Sequence, residues 1–461
     1  MSTRKPRTRS SSSAPTATPR KTRSTKSRTS SFRTSQSASA PSAASSTAAN
    51  RGAAGAGSGG KGTGSAHANF EQFHGWRALL NPIFCYHGFR MSVTVLTIFG
   101  LIMVFSSSSV TMVSAGASPW TKAISQAMFA VIGVVIAFVA MRLPESLYKR
   151  ISQPVLILAF FVQLLTLTPL GTEVQGNAGW IRIGGLTFQP AEFMKYALCL
   201  WLPKAMIEAR KEFEKLPKDA TFKERLMAFK VPIIGYVAGF GAIMIGKDLG
   251  TGLIVLLIGL MGFWIGGFPG KPLLAISGAA LALVAAFVFS SKNRMTRILA
   301  TYTQCSADDI QGICYQSVHA KYALGSGGLF GVGIGNSREK WNYLPEAHND
   351  FIYAIIGEET GFIGTTIVLI LFVILGWSMF IIARSTKDRY ISIALLCFAV
   401  WIMGQAIVNI GVVIGLLPVM GVPLPFVSAG GSSLVMCLLA AGTADSLMRN
   451  QPQIHAELTR V

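Results

Sequence analysis

Ten runs of apolar residues, most close to membrane-spanning length, constrain this chain more than any other feature. They lie at about 91–114, 121–142, 152–170, 189–207, 230–246, 250–268, 272–291, 350–382, 390–416 and 427–447. About 20 apolar residues make one helical crossing of a bilayer. The expected fold is therefore an all-α polytopic membrane protein with about ten transmembrane helices. The runs near 189–207 and 230–246 are short or interrupted, so nine or eleven crossings also fit. Composition agrees: only 13% of residues are charged, against roughly 25% in a soluble domain.

The charge is unevenly spread. Residues 1–66 hold twelve of the Lys and Arg residues and no Asp or Glu, in a chain of net charge +21. This Ser-, Thr-, Ala- and Gly-rich stretch has almost nothing to bury, so it is expected to be disordered. A nucleic-acid arm would interleave aromatics with its cations, and a transit peptide would show an apolar helical face; neither is present. The remaining reading is a basic cytoplasmic tail lying near anionic lipid. Residues 67–90 mix aromatic and polar groups and read as an interfacial segment. Residues 91–449 form the membrane domain, and 450–461 a C-terminal tail.

Lys and Arg also set the expected orientation. With the tail inside, the inner loops carry Arg142, Lys149, Arg150, Arg210, Lys211, Lys215, Lys218, Lys223, Arg225, Arg384, Lys387, Arg389 and Arg449. The short outer loops carry only Arg182 and Lys247, so both termini are expected in the cytoplasm of a plasma-membrane protein. A large extracellular loop, 292–349, between spans 7 and 8, breaks the rule with Lys292, Arg294, Arg297, Lys321, Arg338 and Lys340. Cations on the disfavoured side suggest an anionic ligand; a large solvated loop is the plainer alternative. Its GSGGLFGVGIGNS run has neither strand nor βαβ unit around it, so it is no dinucleotide fingerprint; close backbone packing explains the glycines. Cys305 and Cys314 share this loop and would pair in an oxidising compartment. Cys85, Cys199, Cys397 and Cys437 lie in or beside apolar runs, as buried free thiols do.

Four polar islands fall on the expected outer side. One runs from Trp180 through Arg182 to Glu192 and Lys195, where the two charges are i,i+3 neighbours able to pair within the span. The second is Lys247-Asp248-Leu249-Gly250-Thr251. The third, Trp341 to Thr360, leads from a polar loop into an apolar helix and carries Glu346, His348, Asp350, Glu358 and Glu359. A helix cap would explain Asp350 but not the two glutamates further in. The fourth, Pro418 to Ser433, has the prolines and glycines of a broken, cavity-lining segment. Singly each island could be structural; together they describe a polar cavity.

Those islands carry a resemblance. WIRIGGLTFQPAEFMK, KDLGTG, YQSVHAKYALGSGGLFGVGIGNSREKWNYLPEAHNDFIYAIIGEETGFIG and LLPVMGVPLPFVSAGGSS make residues 90–450 similar to the SEDS family (shape, elongation, division and sporulation). The likeness is to its FtsW-like division branch more than its RodA-like elongation branch, and SAGGSS resembles actinobacterial members. The chain departs from the family pattern at Ala191, Gly246-Lys247, Asn349, Met420 and Ala429, none of which removes a catalytic carboxylate.

The resemblance implies an inverting glycosyltransferase that polymerises lipid II into β-1,4-linked glycan for the septal cell wall. It implies Asp350 as general base and undecaprenyl pyrophosphate as leaving group. Arg182, Lys195, Arg294, Arg297 and Lys340 are the candidate cations for that pyrophosphate. Glu192, Glu346, His348, Glu359 and Ser432 are candidates for shaping the cavity, with loop packing as the alternative for His348. No cofactor is spelled out; a divalent cation, Mg or Mn, would be an added stabiliser. The implied partners are lipid II, the undecaprenyl-linked glycan, a class B penicillin-binding protein and other division proteins, with no nucleic acid. Competing readings are a lipid II flippase, the elongation-type polymerase of the same family, and a non-catalytic scaffold. A transporter would place its polar sites near the midplane of repeated halves, and no repeat is visible.

Overall fold

The computed structural model describes residues 75–174, 177–184, 186–289, 295, 298, 301–302 and 314–459. The chain divides into residues 1–61 and 62–461, and all described residues belong to the second unit. Its helices are α1 (Pro82–Ser114), α2 (Thr121–Ala140), α3 (Glu145–Leu164), α4 (Pro190–Lys215), α5 (Phe222–Met227), α6 (Lys230–Ile245), α7 (Leu249–Ile265), α8 (Gly270–Phe289), α9 (Tyr315–Ser326), α10 (Ile352–Ser385), α11 (Arg389–Val413), α12 (Gly431–Arg449) and α13 (Pro452–Leu458).

The ten expected spans correspond to α1–α4, α6–α8 and α10–α12. Six of these, α1, α2, α3, α10, α11 and α12, are long and apolar enough to cross a membrane by length and composition. Two helices start earlier than the apolar runs suggest. For α1 the signal is local: the Asn81 side chain accepts the N–H of Ile83 at 3.0 Å, and Pro82 at the first position lacks the N–H that would go unpaired. For α3 a polar turn, Glu145 to Arg150, precedes the apolar stretch, and hydropathy alone does not count it.

Among the described residues, the one departure from an all-helical fold is small. Between α3 and α4 lies a three-stranded antiparallel meander, β1 (Gly171–Val174), β2 (Asn177–Ile183) and β3 (Leu186–Phe188). Register pairs Gly171 with Ile181 and Ile181 with Phe188. It is tied to the break between α6 and α7 through the Ala178 N–H, which donates to Gly246 O at 3.1 Å.

In the bundle, α10 packs on α1, α12 on α2, α3 on α4, and α11 against α10, α7 and α4. Helix α11 is an inner element: Trp401, Ile402 and Gln405 are fully buried, whereas α2 leaves Ile124, Val131 and Val135 exposed, as a lipid-facing helix would.

Helix α10 positions the candidate site. Its 34 residues would run about 51 Å if straight, well beyond a hydrocarbon core of about 30 Å. It breaks at Gly361, whose φ of 70° and ψ of −167° are not helical. Both sides of the break are held by the glycine-rich loop: Val332 N and Gly333 N donate to Glu358 O and Glu359 O, and Phe362 N and Ile363 N to Gly328 O and Leu329 O. A Cβ at Gly361 would sit 2.3 Å from Gly331 N, and one at Gly331 would sit 2.2 Å from Glu359 O. Both glycines also have positive φ, so no other residue serves at either position.

Candidate functional site

Four chain segments converge where α1 ends and α2 begins. The first is the turn from Leu344 to Phe351, just ahead of α10. Leu344, Ala347 and Phe351 are buried and anchor it, while Glu346 and Asp350 are half-buried. Glu346 adopts a left-handed φ of 56°, and its carbonyl accepts the N–H groups of Asn349 and Phe351 at 3.0 and 3.3 Å. That strained turn lifts Asp350 to the mouth of the helix.

The three carbonyls of His348, Asn349 and Asp350 are all held from outside the turn. His348 O accepts Ala429 N at 2.9 Å, Asn349 O accepts Ser428 Oγ at 2.7 Å, and Asp350 O accepts Asn409 Nδ2 at 2.8 Å. Ala429 and Ser428 belong to the second segment, the broken stretch 417–430. Gln126 of α2 brackets that stretch, donating to Ser428 O and accepting from Gly430 N, both at 3.2 Å. A Cβ at Gly421 would lie 3.7 Å from Asp350 Oδ2, so this stretch forms the wall beside the carboxylate.

The third and fourth segments are the start of α4 and the α6–α7 break. Gln189 Nε2 donates to Asp248 Oδ2 at 2.6 Å and Gln189 N to Ser432 Oγ at 3.4 Å. Asp248 also caps α7 through Thr251 N at 3.0 Å. All four polar islands expected from the sequence are therefore joined by hydrogen bonds.

The candidate side chains divide into three groups. Glu192 and Lys195 form the anticipated pair at 2.8 Å, both about 1% exposed, and Lys195 also donates to Gln405 Oε1 at 2.8 Å. Lys340 and Glu359 form a second buried pair at 2.9 Å; Ser106 of α1 donates to Glu359 at 2.7 Å. Glu358 accepts Ser337 Oγ and the N–H groups of Arg338 and Glu339. Lys340 is thus only 3% exposed and turned to Glu359 and Ser106. In the third group, Arg182 stands exposed on β2, and Ser432 lies at the start of α12. Arg294, Arg297 and Cys305 lie outside the described residues. Cys314 is disulfide-bonded, and Cys85, Cys199, Cys397 and Cys437 are buried free thiols.

His348 is 9% exposed, and its imidazole is pushed down to about 4 by burial, with the Lys122 charge adding to the push and Glu346 opposing it. Lys122, on the first turn of α2 and half-exposed, is thus a cation close enough to be felt at the mouth of the site. It sits in no motif, and only the fold brings it there. Gln405 and Asn409 had a readable signal: two polar residues four apart in an otherwise apolar helix share a face, and in a membrane that face turns inward. Among the described residues no three His, Cys, Asp or Glu side chains are grouped to hold a metal ion.

Residues 87–452 match the family model FtsW/RodA/SpoVE, described as cell cycle protein. The stage V sporulation protein E of Bacillus subtilis is 37% identical over 366 residues, covering 78% of this chain and 95% of that one. The probable peptidoglycan glycosyltransferase FtsW of Mycobacterium tuberculosis is 32% identical over 391 residues, covering 84% and 72%. Among solved structures, one chain of a peptidoglycan synthase complex that coordinates polymerization and crosslinking superposes with a TM-score of 0.61, at 24% identity over 79% of this chain and 98% of that one. The rod shape determining protein RodA of Thermus thermophilus gives 0.58 at 24% identity, over 79% and 97%.

Proposed function

Since the chain belongs to the FtsW/RodA/SpoVE family of cell cycle proteins, we propose that it is a peptidoglycan glycosyltransferase that polymerises lipid II, with Asp350 as its general base. The observation that carries the residue assignment is the three-point fixing of the His348–Asp350 backbone beside the broken stretch 417–430. A carboxylate at a helix mouth, half-buried and rigidly mounted, is what a base needs in order to meet an incoming hydroxyl at a fixed angle.

In the reaction, the 4-hydroxyl of the lipid II acceptor attacks C1 of the glycan donor. Its proton passes to the Asp350 carboxylate as the new C–O bond forms. The bond from C1 to the pyrophosphate oxygen breaks on the opposite face, so an α-linked donor gives a β-1,4 product. A positioned base contributes about 10²–10⁴-fold, and holding two lipid substrates in one cavity adds to it by proximity. Cationic stabilisation of the departing pyrophosphate falls to Lys122 and Arg182, with Arg294 and Arg297 from the 292–349 loop. Lys340 and Lys195 are held by carboxylates of their own.

The site faces the outside of the plasma membrane in this reading, with both termini in the cytoplasm. The disulfide at Cys314 supports an oxidising compartment for the loop, and Cys305 is its proposed partner. A class B penicillin-binding protein would crosslink the new strand. Division is favoured over elongation because FtsW proteins are among its relatives.

The test is polymerisation of labelled lipid II by Asp350→Asn. At least a 100-fold loss is expected, with the melting temperature unchanged. Normal glycan ladders from that variant would sink the assignment. Translocation of lipid II across vesicles without polymer would instead mark a flippase.

A further inference from the structure

Asn409 of α11 is 1% exposed, and both hydrogens of its amide are committed. One goes to Asp350 O and the other to Val422 O, each at 2.8 Å. The two carbonyls belong to different segments: the turn that carries Asp350 and the broken stretch whose Gly421 borders its carboxylate. A single planar amide therefore fixes the spacing between the carboxylate's own backbone and the wall it faces. We propose that Asn409 is the positioning residue of Asp350, setting the carboxylate against the 417–430 wall without touching substrate.

One helical turn earlier, Gln405 repeats the arrangement. It is fully buried, and its Nε2 donates to Pro423 O at 2.9 Å, the carbonyl next to the one Asn409 holds. Its Oε1 accepts Lys195 Nζ at 2.8 Å and Trp401 Nε1 at 3.0 Å. Trp401, Gln405 and Asn409 are spaced four residues apart, so they form one polar stripe along α11. The stripe starts at the Glu192–Lys195 pair and ends on the Asp350 carbonyl. The buried pair thereby acts on the site through Gln405, as an anchor at the far end of the stripe.

Chemistry selects the amide at 409. Aspartate has the same shape but no hydrogens, and it would set negative charge against two carbonyl oxygens. Alanine would leave both carbonyls buried without a donor. A displacement of the base by about 1 Å is enough to cost about 100-fold in rate, far more than the binding of either lipid would change.

The inference rests on Asp350 being the base, and the experiment separates the two claims. Initial rates of lipid II polymerisation are measured for the full-length chain in vesicles, with its transpeptidase partner present, across lipid II concentrations. Asn409→Ala is expected to lower kcat at least 10-fold while KM stays within twofold. In an Asp350→Glu background, where the carboxylate is already displaced by one methylene, the same change is expected to cost under threefold. An equal loss in both backgrounds, or a loss carried by KM, would overturn the positioning role. If Asn409→Ala does not accumulate, Asn409→Gln, which keeps the amide one methylene further out, carries the same comparison. Full activity of Asp350→Asn would sink the base assignment itself and, with it, the positioning role of Asn409.

Discussion

Two buried Lys–Glu pairs of nearly equal length do different work in this molecule. In Lys340–Glu359 the carboxylate is saturated: it takes the ammonium at 2.9 Å, Ser106 Oγ at 2.7 Å and Ser337 N at 3.4 Å. Its partners come from α1 and the long loop, and its effect is to hold the loop on the kinked head of α10. In Glu192–Lys195 the pair is short in sequence, and Glu192 Oε2 has no hydrogen-bond partner among the described residues. Its outward link runs through Gln405 to the stretch beside Asp350. A burial figure does not separate the two. What separates them is where the remaining hydrogen bonds lead.

The largest expected effect comes from breaking the saturated pair. Lys340→Met leaves Glu359 charged and buried, and removing one partner of a buried pair costs about 3–5 kcal/mol. Thermal unfolding in detergent should show a clear drop for Lys340→Met. Lys340→Met/Glu359→Gln, in which neither charge is left, should recover most of it. Activity per folded molecule should change little in either. Melting of the single variant with the wild type would mean that the pair does not hold the loop.

Glu192→Gln probes the other pair and should invert that pattern. The carboxylate it removes is already incompletely partnered, so the stability cost is expected to be smaller, about 2 kcal/mol. The rate cost should be larger, about 10-fold in kcat, because Lys195 loses its counter-charge and Gln405 is its other acceptor. A variant that melts low but polymerises at the normal rate would place this pair with the first one.

The helices were legible because apolar runs of spanning length have few other uses; the meander was not. Its strands of four, seven and three residues are too short for a reliable alternation signal, and bonds distant in sequence, such as Ala178 N to Gly246 O, help to hold them. At the site, the pairing of Glu192 with Lys195 follows from i,i+3 spacing, and the place of Asp350 at a helix mouth follows from its position between a polar loop and an apolar run. Lys340 does not: a lysine in a cation-rich loop reads as a ligand for an anion, and the carboxylate that takes it lies nineteen residues on. It is brought within reach where the loop folds onto α10, through the approach of Gly331 to Gly361 and the bonds of residues 337–339 to Glu358 and Glu359. Gln405 and Asn409 carry no charge, so a search for ionisable groups goes past them, although their spacing marks them as a shared inward face.

Acid offers the smallest and most local way to separate the two regions, because His348 lies on the turn served by Asn409, past the 337–340 stretch held by Glu359. Its imidazole is held near 4 in the fold by burial and by Lys122, against the pull of Glu346, and near 6.5 when unfolded. The unfolded chain therefore takes up the proton first as pH falls. The stabilising contribution is complete above about 6.5 and is lost progressively toward about 4. Between pH 7.5 and 5.5 that amounts to about 1 kcal/mol. His348→Asn should melt with a correspondingly flatter pH dependence than the wild type over this interval, while Lys340→Met should keep the wild-type slope on a lower baseline. If the slope survives in His348→Asn, the acid-sensitive group lies elsewhere. If it disappears in Lys340→Met, the loop and the Asp350 turn are one cooperative unit, and the division of labour between the two buried pairs fails.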